Sequence, residues 1–336
     1  MTTVETSREK IEAVCLSALT VHGATADNAR PVAQAIARAE ADGNRVCGLY
    51  YLPIFCRHLT VGKIDGGAVP DVTTRGATVA VDARSGFAHP AITAGTPALI
   101  DAARRSGVGA MAVRNSYNCL ALAHHVLPLA EGGLIGICLS NAPASVAPPG
   151  ATRALFGTNP IAFAVPLKEG APPIVVDQSL SAVTKTEMIL RRDRGEAVPT
   201  GWAQDRYGQP TTDPATGLEG SLLPAGGRKG ANIALLIEIL AAALTGSVLS
   251  TEASAFGNDE GGPPRIGQFL IAIDPDHFSA GYFTEVMDGL VAAHEVAGVR
   301  LPGRSRENHP VSVDADLWET ALRHSKSADV REPRSS

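Results

Sequence analysis

Cysteine is scarce in this sequence, and no apolar run is long enough to cross a bilayer. The five cysteines are scattered along 336 residues, are odd in number and form no Cys-x-x-Cys pair, which favours reduced thiols over a disulfide framework. The N-terminus, MTTVETSREK, also lacks the apolar core of a secretion signal. These absences together predict a cytoplasmic protein.

The sequence also lacks any block of basic residues and several well-known signature motifs. It has 29 basic and 34 acidic residues, which gives a net charge of -5 and predicts no nucleic-acid or membrane surface. It contains no Walker loop, no His-Glu-x-x-His and no Gly-x-Ser-x-Gly motif. No Gly-x-Gly-x-x-Gly follows a predicted strand, so a standard Rossmann dinucleotide site is not indicated. His124 and His125 would point about 100° apart on a helix, so we do not expect them to ligate one metal together.

What the sequence does contain is typical of a large mixed α/β protein, in one domain or two intimate ones. Of its residues 45% are hydrophobic, and 34 Gly and 23 Pro supply many turns. Short apolar runs bounded by turn residues predict strands buried on both faces. These runs lie at 79–82, 109–113, 134–139, 161–165, 174–176 and 267–273.

Polar side chains follow several of these predicted strands, which is where α/β folds commonly present a site. Asp177 at the end of one strand is either a cap for the next segment or a site residue. The break at 43–48 between two predicted helices either presents side chains to the site or is only a corner. Lys229 lies at the glycine-rich start of an apolar helix over 231–244, which either holds an anion or is a solvated turn. The turn-rich stretch 199–227 before it is predicted to be a long irregular loop.

The chain resembles one known family over roughly residues 7 to 310. Five segments that follow one another in the family's order are the most specific part of this resemblance: VAPPGATRALFGTNPIAFAVP (146–166), VVDQSLS (175–181), GEAVPTGWAQDRYGQPTTDP (195–214), GGRKG (226–230) and FLIAIDP (269–275). The sequence resembles the malate/L-lactate dehydrogenase family of the second type. That family includes sulfolactate and ureidoglycolate dehydrogenases and Δ1-piperideine-2-carboxylate reductases. The resemblance implies the sulfolactate-dehydrogenase-like α/β fold, which binds NADH or NADPH without a Rossmann fingerprint. It also implies a homodimer that acts on a small-molecule substrate near the subunit interface.

The resemblance also implies a domain organisation and a set of cofactor contacts. Residues 1–75 with 285–320 would form a helical substrate and dimerisation part, and 76–284 the α/β nicotinamide-cofactor domain. The polar tail, 323–336, is expected to be disordered. Lys229 matches the Lys of a His-Lys-Gly motif and would place a cation on the cofactor phosphates or ribose. The implied cofactor-binding residues are Ser140, Asn141, Ala142, Asn159, Asp177, Gln178, Ser179, Lys229, Gly303 and Arg304.

The sequence departs from the family pattern at the expected catalytic positions. The family's Ser-His-Gly motif corresponds here to Val46-Cys47-Gly48, so Cys47 replaces the His, and Tyr51 replaces the Arg that follows the motif. The family's Asn-His-Phe-Gly motif corresponds to Tyr117 to Leu120, so Asn118 replaces its His. Reduction of a 2-oxo acid needs a proton donor and favours a bidentate cation on the carboxylate. An ordinary malate or lactate dehydrogenase is therefore not expected. The candidate catalytic residues are Cys47, Tyr51, Tyr117, Asn118 and Asp177.

These features favour an NAD(P)H-dependent reductase of a cyclic imine or an unusual keto compound, in specialised metabolism. A cyclic imine can arrive already protonated, so it demands less of the enzyme. Tyr51, Tyr117 or Cys47 could donate a proton or a hydrogen bond, and Cys47 could equally be a small apolar filler. The alternative is a family member repurposed for cyclisation, isomerisation or elimination. A third hypothesis, a non-catalytic binding protein, predicts no turnover of any substrate.

Overall fold

The computed structural model describes residues 2–303 and 310–326. Several of its helices begin where a side chain satisfies a free backbone N–H group. Ser7 accepts a hydrogen bond from the Lys10 N–H at the start of α1, and Thr25 accepts one from the Asn28 N–H at the start of α2.

The elements alternate between helices and strands through most of the chain. The strands are β1 (Thr3–Thr6), β2 (Asp71–Arg75), β3 (Thr78–Asp82), β4 (Val108–Ser116), β5 (Ile135–Ser140), β6 (Ile161–Val165), β7 (Ile174–Gln178), β8 (Ala203–Gln204), β9 (Pro210–Thr211), β10 (Ser221–Leu222), β11 (Ile266–Ile273) and β12 (Val311–Asp314). The α-helices are α1 (Arg8–Val21), α2 (Ala26–Ala41), α3 (Leu52–Thr60), α4 (Ala88–Ser106), α5 (Ala123–Glu131), α6 (Lys185–Arg194), α7 (Pro214–Glu219), α8 (Arg228–Glu238), α9 (Phe283–Val296) and α10 (Ala315–Ser325).

A seven-stranded mixed sheet forms the centre of the molecule, in the order β2-β3-β4-β11-β5-β6-β7. Only β3 and β4 pair in parallel, and every other neighbouring pair is antiparallel. All six predicted strand runs lie in this sheet. Strand β11 inserts between β4 and β5, so that Leu270 pairs with Met111 on one side and Cys138 on the other. Because β11 is antiparallel to both, β4 and β5 run in the same direction.

One edge of this sheet collects the polar strand ends. Strands β3, β4, β5 and β7 all end there, because β6 and β7 continue the alternation of direction beyond β5. The starts of β6 and β11 lie at the same edge. We call this the polar edge; it carries the residues after β4, β5 and β7 together with those before β6. The sequence prediction that polar groups gather where strands leave the core therefore agrees with the fold.

Helices from both ends of the chain form a second core beside the sheet. Helices α1, α2, α3 and α10 pack against one another, and β1 pairs with β12 in antiparallel fashion. The side chains of Leu19, Ile36, Phe55 and Trp318 lie in this core. In contrast, α9 has no buried residue, although it falls within the stretch predicted to join the helical part. No helix of residues 2–303 and 310–326 combines the length and hydropathy that crossing a membrane requires.

Four sequence predictions differ from the structure in their bounds or in their degree of order. The sheet begins at β2, before the predicted boundary at 75. The sequence did not indicate this outermost strand, DVTTR, because it is polar and contains no apolar run. The predicted disordered tail begins too early, since α10 continues to Ser325; residues 327–336 lie outside the described part of the chain. The loop predicted at 199–227 is partly ordered, because it contains α7 and the small sheet β10-β8-β9. The helix predicted from 231 starts at Arg228 and ends in a π-helical turn over Ile239–Ala243.

Candidate active site

Cys47 lies on a 3-10 turn between α2 and α3 and is half-buried. Burial is the largest cause that raises the pKa of its thiol to about 12, and the Asp177 carboxylate and the Cys119 thiol act in the same direction. The structure thus brings Cys47 and Asp177, which are 130 positions apart in sequence (177 − 47), into electrostatic contact. A thiol in this setting is neutral at pH 7 and is a weak acid.

Tyr51 follows on a second 3-10 turn, immediately before α3. Burial raises the pKa of its phenol well above the usual value, Cys47 acts in the same direction, and a hydrogen bond with the Asn118 side chain lowers it. The Asn118 Oδ1 atom also accepts a hydrogen bond from the Leu120 N–H at 2.8 Å. Cys47, Tyr51, Asn118 and Asp177 therefore form one group at the polar edge.

Tyr117 has a different location from the other candidates. Its side chain is only 1% exposed and packs in the helical core against the rings of Phe55 and Phe87. Its hydroxyl is hydrogen-bonded to Nδ1 of His58, and burial raises the pKa of the phenol above its usual range. The tyrosine predicted as a possible proton donor is thus enclosed in protein, with its hydroxyl already bonded.

A buried network behind Tyr117 has no counterpart in the sequence predictions. Nε2 of His58 lies 3.5 Å from Oδ1 of Asp259, and Nε of Arg57 lies 2.5 Å from the same oxygen. Burial lowers the pKa of His58, as do the charges of Lys63 and Arg57. Lys63 donates hydrogen bonds of 2.6–2.8 Å to three carbonyls of the segment 255–260. The sequence gave no signal for these contacts, because His58 is isolated within α3 and Lys63 follows the end of that helix.

Asp177 performs the capping role that the sequence left open. Its Oδ2 accepts a hydrogen bond of 2.9 Å from the Ala123 N–H, the first residue of α5. The side chain remains exposed to solvent. Partial desolvation by the surrounding protein raises the pKa of the carboxyl, and hydrogen bonds from the backbone N–H groups of Ala123 and Leu122 oppose this shift. Because its charge also acts on Cys47 and Cys119, the carboxylate both caps α5 and belongs to the candidate site.

Ser140 and Asn141 at the end of β5 are buried. The Asn141 side chain accepts from the Gly267 N–H at 2.9 Å and donates to the Val248 carbonyl at 3.0 Å. The Ser140 hydroxyl donates to the Asn141 carbonyl at 2.9 Å. These side chains hold the start of β11 in place, so that any contact with a cofactor would use the backbone here. Gln268, which the sequence prediction missed, accepts from the Ser116 hydroxyl at 2.6 Å in the same network.

Asn159, just before β6, is completely buried. Its Nδ2 donates to the Ala234 carbonyl at 3.0 Å and to the Glu238 carboxylate at 2.9 Å, which fastens α8 to the sheet. Glu238 in turn accepts from the Ser250 N–H and hydroxyl, each at 2.6 Å. Asn159 therefore positions α8. The neighbouring Ala142 backbone lies so close to the loop before Asn159 that a Cβ on Gly157 would approach its carbonyl oxygen to 2.3 Å.

The start of α8 has the geometry of an anion site. Gly227 precedes it with φ +61 and supplies no side-chain cap, and Lys229 is exposed in its first turn. Backbone bonds join this start to the other predicted cofactor segments: Ala225 N–H to the Leu180 carbonyl, and Leu180 N–H to the Thr158 carbonyl, both 2.8 Å. Uncapped N–H groups, the helix dipole and a lysine favour a phosphate at this position.

The remaining predicted cofactor residues lie on or near β7. Gln178 is exposed, and the Ser179 hydroxyl lies 3.1 Å from that of Ser181. Gly303 packs against β7, where a Cβ would approach the Val175 nitrogen to 2.4 Å. Arg304 lies outside the described residues.

Comparison with known proteins places this geometry in a family. The family model of malate/L-lactate dehydrogenase matches residues 6–313. The (2R)-3-sulfolactate dehydrogenase (NADP(+)) of Chromohalobacter salexigens is 41% identical over 300 residues, which are 89% of this chain and 90% of that protein. A delta(1)-pyrroline-2-carboxylate reductase of Ancylobacter novellus is 39% identical over 308 residues, 90% of each chain.

Solved structures show the same fold. The crystal structure of delta1-piperideine-2-carboxylate reductase from Pseudomonas syringae pv. tomato matches with a TM-score of 0.90 and 36% identity, over 96% of this chain and 100% of that one. Sulfolactate dehydrogenase from Methanocaldococcus jannaschii matches with a TM-score of 0.86 and 25% identity, over 96% of each. The predicted sulfolactate-dehydrogenase-like fold and the predicted oxidoreductase class are confirmed, and this chain belongs to the malate/L-lactate dehydrogenase family.

Proposed function

We propose that this NAD(P)-dependent oxidoreductase reduces a cyclic imine that bears a carboxylate, of the pyrroline- or piperideine-2-carboxylate class. The observation that carries the proposal is that the Asp177 carboxylate acts on the neutral thiol of Cys47, which in turn lies near the neutral phenol of Tyr51. A carboxylate stabilises a neighbouring cation, and a protonated cyclic imine is a cation. Relatives named as reductases of these two imines support this substrate class.

The start of α8 suits the phosphates of a nicotinamide cofactor, because Lys229 lies in a first turn whose N–H groups have no side-chain cap. The exposed face of Gln178 and the backbone at 140–142 would hold the rest of the molecule next to Asp177. The bound reduced nicotinamide supplies a hydride. Asp177 would orient the protonated imine so that its carbon faces that hydride, and Tyr51 and Asn118 would donate hydrogen bonds to the substrate carboxylate.

The acidity of the neighbouring groups favours an imine over a ketone. A ketone needs a proton on its oxygen as hydride arrives, and a well-placed acid with a suitable pKa accelerates this step by about 10²–10⁴-fold. The Cys47 thiol has a pKa of about 12 and the Tyr51 phenol a raised pKa, so both are weak donors at neutral pH. A protonated imine becomes an amine on accepting hydride alone, so it needs neither group as an acid.

The test is a steady-state assay of the purified full chain with NADPH and with NADH. The substrates are Δ1-pyrroline-2-carboxylate, Δ1-piperideine-2-carboxylate, pyruvate and oxaloacetate. We expect kcat/KM for at least one imine to exceed that for both 2-oxo acids by about 100-fold or more. A preference for a 2-oxo acid would contradict the imine proposal. Binding without oxidation of either cofactor would leave the non-redox alternative of cyclisation, isomerisation or elimination.

We propose further that the enzyme works in the cytoplasm as a homodimer. Its five cysteines are free thiols, which agrees with a reducing compartment. Helix α9, the outer face of α8 and the π-helical turn after it expose several large apolar side chains that a second copy would cover: Ile233, Leu235, Leu236, Ile239, Val286 and Leu290. A place in specialised metabolism stays a prediction from the sequence.

A further inference from the structure

Two histidines at the ends of α1 and α10 and a cysteine within α3 lie close together. His22 caps the end of α1, Cys56 lies within α3, and His324 lies in the last turn of α10. Their ligand atoms all lie within 4.8 Å of one another. The three positions are separated by 34 and 268 residues (56 − 22 and 324 − 56), so they form no short sequence motif that would indicate a metal site.

The distance between the two imidazoles matches shared coordination. Nδ1 of His324 lies 3.2 Å from Nε2 of His22. Two imidazole nitrogens bound tetrahedrally to one Zn²⁺ at about 2.0–2.1 Å lie about 3.3 Å apart. A thiolate sulfur at about 2.3 Å from the same ion would lie about 3.6 Å from each nitrogen. The three ligand atoms already lie within 4.8 Å of one another, so only a small shift of the side chains is needed.

The hydrogen bond of His22 selects the tautomer that can bind a metal. Its Nδ1 lies 2.8 Å from the Ala18 carbonyl oxygen. A carbonyl can only accept, so Nδ1 carries the proton and Nε2 presents its lone pair toward Cys56 and His324. A ligating histidine whose other nitrogen donates to a backbone carbonyl is the usual arrangement in metalloproteins.

Binding of Zn²⁺ would release the thiol proton of Cys56 to solvent. The His324 ring would carry its proton on Nε2 in place of Nδ1, which frees Nδ1 for the ion.

We propose that His22, Cys56 and His324 form a structural site for Zn²⁺, with water as the fourth ligand. One thiolate and two imidazoles are donors that select zinc over magnesium or calcium, which prefer oxygen. His22 and His324 are half-buried, which leaves the fourth position open to solvent. The ion joins the end of α1 and the end of α10 to α3, the helix that begins immediately after Tyr51. A simple hydrogen bond between the two imidazoles explains their distance but does not explain the thiol beside them.

The site can be tested with metal alone, without cofactor or substrate, so the outcome is independent of the proposed reductase function. The full chain, without a histidine tag, is freed of metal with a chelator and titrated with Co²⁺ under reducing conditions. We expect one equivalent to give thiolate-to-cobalt charge transfer in the near ultraviolet and the visible bands of four-coordinate cobalt. Zn²⁺ should abolish both. Absence of the thiolate band would overturn the proposal.

Three variants assign the ligands. We expect His324→Gln and Cys56→Ser to weaken Zn²⁺ binding by at least about 100-fold, measured by competition with a chromophoric chelator. His294→Gln is the control for loss of a helical histidine. Its Nδ1 contacts a carbonyl four residues earlier, at 2.9 Å, as Nδ1 of His22 does, but His294 lies outside the group. Equal affinity of His324→Gln and the unaltered protein would refute the site. Should Cys56→Ser fail to fold, the half-exposed His324 position and the cobalt spectrum still decide the question.

Discussion

Asp177 is the residue whose two roles can be separated most clearly. Its carboxylate caps α5 through the Ala123 N–H and places a negative charge beside Cys47. Asparagine keeps an oxygen for the cap and removes the charge, since the two residues are about equally good caps. Capping and electrostatics therefore respond differently to one substitution.

We expect Asp177→Asn to lower kcat/KM for the imine by at least about 10-fold, while stability changes by less than about 1 kcal/mol. Steady-state kinetics and urea unfolding measure the two effects. Asp213→Asn is the matched control, because Asp213 caps α7 through the Ala215 and Thr216 N–H groups. Undiminished imine reduction by Asp177→Asn would remove the electrostatic role and leave only the cap.

Gly48 is required by the close approach of Glu40 rather than by its backbone angles. A Cβ at Gly48 would lie 2.0 Å from Oε1 of Glu40, the atom that accepts a hydrogen bond of 2.7 Å from the Leu49 N–H. Glu40 is itself buried, and burial raises the pKa of its carboxyl. This contact fixes the turn that carries Cys47 and Tyr51.

We therefore expect Gly48→Ala to destabilise the protein by about 2 kcal/mol, because the buried acceptor must move and leave the Leu49 N–H unpaired. Urea unfolding measures the loss. In Gly257→Ala the new Cβ has no neighbour within 4 Å, so its free energy of unfolding should change by less than about 0.5 kcal/mol. Equal stability of the two variants would show that Glu40 moves aside without cost.

At the scale of elements, the start of α8 offers a test of cofactor binding that does not involve catalysis. Lys229 is exposed in the first turn, so its removal should leave the fold intact. We expect Lys229→Gln to raise the Kd for NADPH by about 10-fold or more, since a charge-assisted contact with phosphate contributes about 1.5–3 kcal/mol.

Nicotinamide fluorescence titration measures the Kd of this variant. Lys168→Gln provides the control, because Lys168 follows the end of β6 and so lies at the opposite edge of the sheet, where it pairs with Asp288 at 3.5 Å. If the Kd for NADPH were unchanged in Lys229→Gln, the cofactor phosphates would not bind at the start of α8.

The elements that the sequence predicted are those with a strong apolar pattern. The run IAFAV gives β6 its predicted bounds, whereas the polar DVTTR and the two-residue strands β8, β9 and β10 carry no such pattern. The insertion of β11 between β4 and β5 joins segments more than 120 residues apart, which no local pattern encodes. Length and periodicity thus predict elements, but the order of strands depends on long-range pairing.

The candidate site shows the same limit at finer detail. A register shift occurs where Ile266 pairs with Ser116 but Gln268 pairs with Val113, and Asn115 adopts φ +51. This bulge interrupts the alternation of side chains at the end of β4. Tyr117 consequently enters the helical core while Asn118 faces Tyr51. Adjacent residues predicted to share one role therefore have different surroundings.

At the scale of the whole molecule, contacts within a single chain do not account for the stability of α9. It has no buried residue, and it exposes 67% of Val286 and 43% of Leu290. A helix that gains little from packing within its own chain needs another surface to stabilise it. The outer face of α8 and the π-helical turn after it expose a similar set of apolar side chains, among them Leu236 at 51% and Ile239 at 50%.

We expect the protein to elute as a dimer, with a mass by light scattering of twice 34.7 kDa, and the double variant Val286→Glu, Leu290→Glu to elute as a monomer. The substituted side chains are already exposed in the single chain, so the charges oppose association rather than folding. Val69→Glu is the matched control, because Val69 is 72% exposed but lies in the connection between α3 and β2. If the double variant remained dimeric, α9 would not form the interface, and its apolar face would have to be covered by something other than a second copy.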